Sequence, residues 1–177
     1  RCLSSVYCCV HAEIGGAMLD VRTLVIVLCA VFLISALIVF FAYAQHPKMN
    51  GVREWAVSLV LLAVGEFFLF ARQELPPELT ILMANGLLQA GSAILFLGIQ
   101  RFLGSQPSYR LAGFIFLSSW IPFWFLYQDD IYLHYRIHLS NYGNGFFGLA
   151  AGFLLLRAFW STRQTAYAVS SMGFLLQ

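Results

Sequence analysis

Long apolar runs broken by short polar punctuation make up most of this chain. A bilayer core needs about 20 mainly apolar residues per helix, and five runs reach that length: 24–44, 52–71, 79–102, 111–127 and 137–160. A sixth run begins near Thr165 and is still apolar at Gln177, about half the length of a span. The connections carry turn chemistry: HPKMNG after the first run, ELPPEL after the second and GSQPS after the third. Each Pro or Gly stands where a helix should stop. The pattern predicts an all-α fold, a polytopic transmembrane bundle of antiparallel helical hairpins with five complete helices and a truncated sixth.

Composition agrees with a membrane setting. Of 177 residues, 60% are hydrophobic and 10% charged, far below the roughly 25% charged of a soluble domain; mean hydropathy is +0.79. A net charge of +2, scattered between apolar blocks, gives no basic stripe for nucleic acid. Of the four cysteines, Cys2, Cys8 and Cys9 crowd the start, and Cys29 lies within an apolar run as a small packing residue. No zinc-type Cys/His spacing occurs, so no metal ligands are assigned.

Met18 opens MLDVRTLVIVL directly at the first long run, so residues 1–17 are expected to be a non-native or upstream-translated leader and 18–177 the membrane domain. The run after Met18 is too long for the apolar region of a cleavable signal peptide.

Basic residues set the orientation. The segments after helices one, three and five hold Lys48 and Arg53, Arg101 and Arg110, and Arg157 and Arg163. Those after helices two and four hold Arg72 and Arg136 beside Glu74, Glu78, Asp129 and Asp130. Six basic residues against two place the odd-numbered loops in the cytoplasm and the N-terminus outside. A cytoplasmic domain then requires an odd number of spans, which predicts a seventh helix in the full-length protein. Trp55, Tyr109, Trp124, Tyr127 and Trp160 fall near helix ends, as an interfacial aromatic belt requires.

One carboxylate interrupts the second run. Glu66 lies six residues inward from Arg72, about 9 Å at 1.5 Å per residue. Six residues inward from Leu79, on the antiparallel neighbour, stands Asn85; Gln89 follows one turn on. Asn141 and Asn144 lie four and seven residues inward from Ile137, on the same side. These five residues predict a polar layer in the outer half of the bundle. Either Glu66 is neutral or hydrogen-bonded and ties two helices together, for about 0.6–1.7 kcal/mol, or the layer lines a ligand-accessible cavity, as intramembrane ionisable groups often do.

QDDIYLHYRIH gathers Asp129, Asp130, His134, Arg136 and His138, which could bind a cation or respond to external pH but match no closed metal site and read first as a solvated loop. His46, Lys48 and Arg53 are placed to meet anionic lipid headgroups. Small residues at helical spacing, Gly86, Ala90 and Ala93 in helix three and Gly145, Gly148, Ala151 and Gly152 in helix five, serve close packing within the bundle or the seam of a homodimer.

Four segments, in order, carry a resemblance: MLDVRTLVIV, QHPKMNGVREWAVSLVLLAVG, ARQELPPELTILMANGLL and LGIQRFLG. Together they resemble the N-terminal membrane region of bacterial diguanylate cyclases of the GGDEF type, over roughly residues 18–105. The shared features are Leu-Asp-x-Arg-Thr, a basic loop ending in Gly-x-Arg-x-Trp-Ala, a Leu-Pro-Pro hairpin and a basic Arg-Phe-Leu-Gly exit. The resemblance implies a sensory or anchoring module in the bacterial inner membrane, joined to a cytoplasmic domain that condenses two GTP into cyclic di-GMP with Mg²⁺ as a dimer. GTP and Mg²⁺ would belong to that domain, and this chain would need no cofactor. Gly65-Glu66-Phe67 is no part of the catalytic signature, which occupies a water-exposed β-hairpin, so no catalytic residue is carried over. The alternative is a stand-alone integral membrane protein, a small transporter or an assembly factor. An intramembrane enzyme finds no HExxH, Ser/His or paired-carboxylate arrangement here.

Overall fold

The computed structural model describes residues 21–71, 74–126, 133–162 and 170–172, and these are helices and short turns without a strand. Five long helices follow one another: α1 Val21–Gln45, α2 Val52–Phe70, α3 Pro77–Phe102, α4 Tyr109–Leu126 and α5 Leu133–Thr162. Residues 170–172 are also helical; the rest of the expected sixth helix, the leader 1–17 and the QDDIY segment lie outside the described residues.

Local chemistry sets the boundaries. Pro47 follows the end of α1, where a proline disfavours the helical conformation of the residue before it. Gly51 adopts φ +87° immediately before α2, a left-handed conformation natural to glycine. Pro77 opens α3 at the first helical position, where its missing N–H costs nothing. That helix closes on Gly104, φ +71°, with Ser105 N donating to Gln100 O at 2.9 Å and Gly104 N to Arg101 O at 3.1 Å. This is the paired hydrogen-bond pattern of a glycine C-cap. Pro122 lies inside α4 and removes one backbone donor there.

Packing is graded along the chain. α1 touches α2 and leaves most of its surface open; Phe41 is 64% exposed and Ile38 63%. α2 and α3 pack intimately, because Gly65 lies against Leu88 and Gly91 against Leu62 and the Ser58 carbonyl. α3 is central, meeting α2, α4 and α5. Its C-terminal half joins the main core, in which Phe96, Ile99, Ile115, Phe147, Ala151 and Leu155 are buried. Phe96 and Phe147 meet with tilted rings, centroids 5.9 Å apart.

Gly148, Ala151 and Gly152 are buried within the chain, so their small face serves packing of α5 in this bundle. Gly145 is exposed, with open space beyond it.

Among the described residues, two helices are long and apolar enough to cross a membrane by length and composition, Thr23–Gln45 and Leu79–Phe102. The sequence led us to expect five such spans. The other three helices exist where expected but are more polar or shorter: α2 carries Arg53, Glu54 and Glu66, α4 has 18 residues, and α5 begins with Leu-His-Tyr-Arg-Ile-His.

Candidate functional site

The helices divide into an apolar and a polar half. Toward the ends marked by Phe102, Tyr109 and Leu155 the interior is the hydrophobic core described above. Toward the opposite end, α3, α4 and α5 exchange hydrogen bonds through a polar seam. Asn85 on α3 donates from Nδ2 to its own Ile81 carbonyl at 2.8 Å and accepts at Oδ1 from Ser140 Oγ of α5 at 2.6 Å. One turn further along α3, Gln89 is 3% exposed and donates from Nε2 to Ser119 Oγ of α4. Ser119 in turn donates to the Ile115 carbonyl, 2.8 Å away on its own helix.

Gly143 on α5 closes this layer. A methyl group there would overlap the Gln89 amide nitrogen and stand 3.0 Å from Ser119 Oγ. Asn144, beside it, is half-buried, and its Oδ1 is buried without a hydrogen-bond partner among the described residues. Asn141 is exposed.

Glu66 stands apart from this network. Gly65 abuts Leu88, which puts Glu66 level with residues near 87, within about 3 Å of the height of Asn85. Yet it forms no hydrogen bond or ion pair with any described residue. The Cys29 thiol of α1 contacts the Ala63 carbonyl at 3.5 Å, and Gly65 faces α3. At 100° per residue Glu66 therefore falls on the arc of α2 between its α1 and α3 contacts. The five residues expected to form one layer separate into Asn85 and Gln89 bound to neighbouring helices, Asn144 half-buried next to Gly143, Asn141 on the surface and Glu66 on the flank of α2.

A second polar feature occupies the other end. The 46–51 turn and the 103–108 turn come together where Gly51 lies against the Gly98 carbonyl and Phe102. Arg101, at the end of α3, pairs with Glu54 and donates to the Tyr109 hydroxyl, its guanidinium 5.8 Å from that ring centre. Glu54 is 15% exposed, while Arg53 reaches the same carboxylate only at 3.5 Å and is 68% exposed. Gln100 accepts from Ser108 N at 2.8 Å and so caps α4. Glu54, Arg53 and Arg101 border a cleft of about 400 Å³ lined also by Tyr43, Asn50 and Ser105, among others.

Sequence reasoning did not find Ser119, Ser140 and Gly143 as partners of the amides, nor the Glu54–Arg101 pair. A signal existed for Ser119, since Ser118-Ser119 breaks an otherwise apolar run. The pairing of Glu54 with Arg101 spans 47 positions and has no local signature. Among the described residues no group of three metal-ligating side chains comes together. Asp129 and Asp130 lie outside the described residues, and His138 is exposed. No protein family, curated protein or solved structure matches the chain.

Proposed function

We propose that this chain is the membrane-embedded sensory or anchoring region of a diguanylate-cyclase-like signalling protein. It crosses the bacterial inner membrane several times, with its N-terminus outside. A GGDEF domain C-terminal to it, holding GTP and Mg²⁺, makes cyclic di-GMP in the cytoplasm. The observation that carries this reading is the ordered set of motifs from LDVRT through GVREWA and LPP to RFLG.

Three physical features support the membrane part. Large apolar side chains are exposed on every helix, among them Phe114 at 71% and Phe125 at 74%, more than a protein surface in water usually carries. Lys48, Arg53, Arg101 and Arg110 flank the two turns that meet at one end, and Arg157 follows Leu155 of the same apolar core. Such an end suits the cytoplasmic leaflet. The opposite half holds the amide seam, where a signal molecule has hydrogen-bonding groups to read. A signal acts only if it binds two helix packings with different affinity, and the α3–α4–α5 seam is the element we assign to that difference.

Reading the gene beyond the codon for Gln177 tests the proposal. A further apolar span followed by an in-frame Gly-Gly-Asp/Glu-Glu-Phe domain supports it. A stop codon without such a domain removes the cyclase and leaves a stand-alone membrane protein.

A further inference from the structure

Two surface features lie in succession along α1 and α2. The first is the cleft of about 400 Å³ at the basic end, where Arg53 extends into solvent beside Asn50 and Ser105. The second is a groove of about 570 Å³ between α1 and α2 whose walls are apolar: Leu33, Ala36 and Phe40 from α1, and Ala56, Val57 and Val60 from α2. Their linings follow each other along both helices. On α1, Phe40 and Tyr43 are three residues apart; on α2, Arg53, Val57 and Val60 repeat at four and three residues, so each set shares a helix face.

We infer that cleft and groove act as one site for a single anionic phospholipid, its phosphate in the cleft beside Arg53 and one acyl chain in the α1–α2 groove. Charge and length both match. Within the cleft Arg101 is balanced by Glu54, while Arg53, only weakly held at 3.5 Å, leaves one net positive charge. From Phe40 to Leu33 the groove runs seven residues, about 10 Å, which fits within one leaflet of the roughly 30 Å hydrocarbon core. An apolar partner helix would leave Arg53 and the polar cleft walls without a counterpart. A free phosphate would leave the groove empty. The lipid satisfies both, and it wedges α1, which packs mainly on α2 among the described residues, to the rest of the bundle.

The inference rests on the membrane reading, and the test separates the two. The full chain is purified in neutral detergent and its lipid adducts are measured by native mass spectrometry. The lipids are phosphatidylglycerol and phosphatidylcholine of identical acyl chains; inorganic phosphate serves as competitor. Phosphatidylglycerol is expected to bind about fivefold more tightly, the worth of one cationic side chain at a lipid surface, and millimolar phosphate should not displace it. Arg53→Gln should abolish the preference between the two lipids. Val60→Trp, which fills the groove, should weaken both while leaving helical content unchanged. Equal retention of the two lipids, displacement by phosphate, or indifference to both substitutions overturns the site. If instead alkaline extraction releases the chain from cell membranes into the aqueous phase, the membrane reading fails and the lipid site falls with it.

Discussion

Gly143 is where the polar seam can be tested most sharply. In Gly143→Ala the new methyl overlaps Gln89 Nε2 and stands 2.9 Å from its Cδ, and the Gln89 side chain is 3% exposed, with little room to retreat. Overpacking of this kind costs about 1–3 kcal/mol. Replacing glycine by alanine inside a helix returns about 1 kcal/mol, so a net loss of about 0–2 kcal/mol is expected. In the Gln89→Ala background the obstructing amide is gone, and only Ser119 Oγ, at 3.0 Å, needs a small adjustment. There the same substitution should be stabilising by about 1 kcal/mol. A double-mutant cycle from equilibrium unfolding in mixed micelles, followed by circular dichroism, should therefore give a coupling of about 1–3 kcal/mol. If Gly143→Ala has the same effect in both backgrounds within about 0.5 kcal/mol, α5 does not meet α3 at this point and the seam is misassigned.

The two left-handed glycines should differ. Gly51→Ala places a methyl against the Gly98 carbonyl and 2.9 Å from the Phe102 amide nitrogen, whereas Gly104→Ala meets nothing within 4 Å. Both pay about 1–2 kcal/mol for the left-handed backbone, but only the first also separates α2 from α3, so its unfolding midpoint should fall distinctly further; equal losses would deny that contact. Glu66 has no partner among the described residues, so Glu66→Leu should raise unfolding free energy by on the order of 1 kcal/mol, and a marked loss of stability would mean that the carboxylate is bonded after all. In the full-length protein, loss of signalling in both Glu66→Gln and Glu66→Leu without loss of stability would assign the carboxylate to ligand recognition, and unchanged signalling in both would remove it from that role.

The helices were legible because hydropathy and punctuation act locally. The first run was expected at 24–44 and α1 occupies Val21–Gln45; the third was expected at 79–102 and α3 occupies Pro77–Phe102. Pro47, Pro77 and Gly104 act on their immediate neighbours, so their meaning could be read from position alone. Rotation of one helix against another could not. A helix that is apolar on nearly every face has no stripe to mark its inner side. Counting residues inward therefore placed Glu66 and Asn85 at nearly the same height but could not show that Asn85 turns to Ser140 of α5 while Glu66 stays on the flank of α2. Glycines carried that missing information: Gly65, Gly91 and Gly143 each mark a place where a neighbouring helix comes within a side chain's width. Their role is visible only once the partner is known, since glycine is also common in turns. The Glu54–Arg101 pair was hidden for a related reason, because both residues looked like separate charges at separate helix ends.

The claim on which the rest depends is that the chain crosses the membrane with its basic turns inside. Single cysteines at positions 50, 74 and 106, with Cys2, Cys8, Cys9 and Cys29 replaced by serine, can be probed in intact bacterial cells with a membrane-impermeant thiol reagent. Position 74 should label in intact cells, and positions 50 and 106 only after permeabilisation. Equal labelling of all three before permeabilisation, or recovery of the chain in the soluble fraction, would contradict the account.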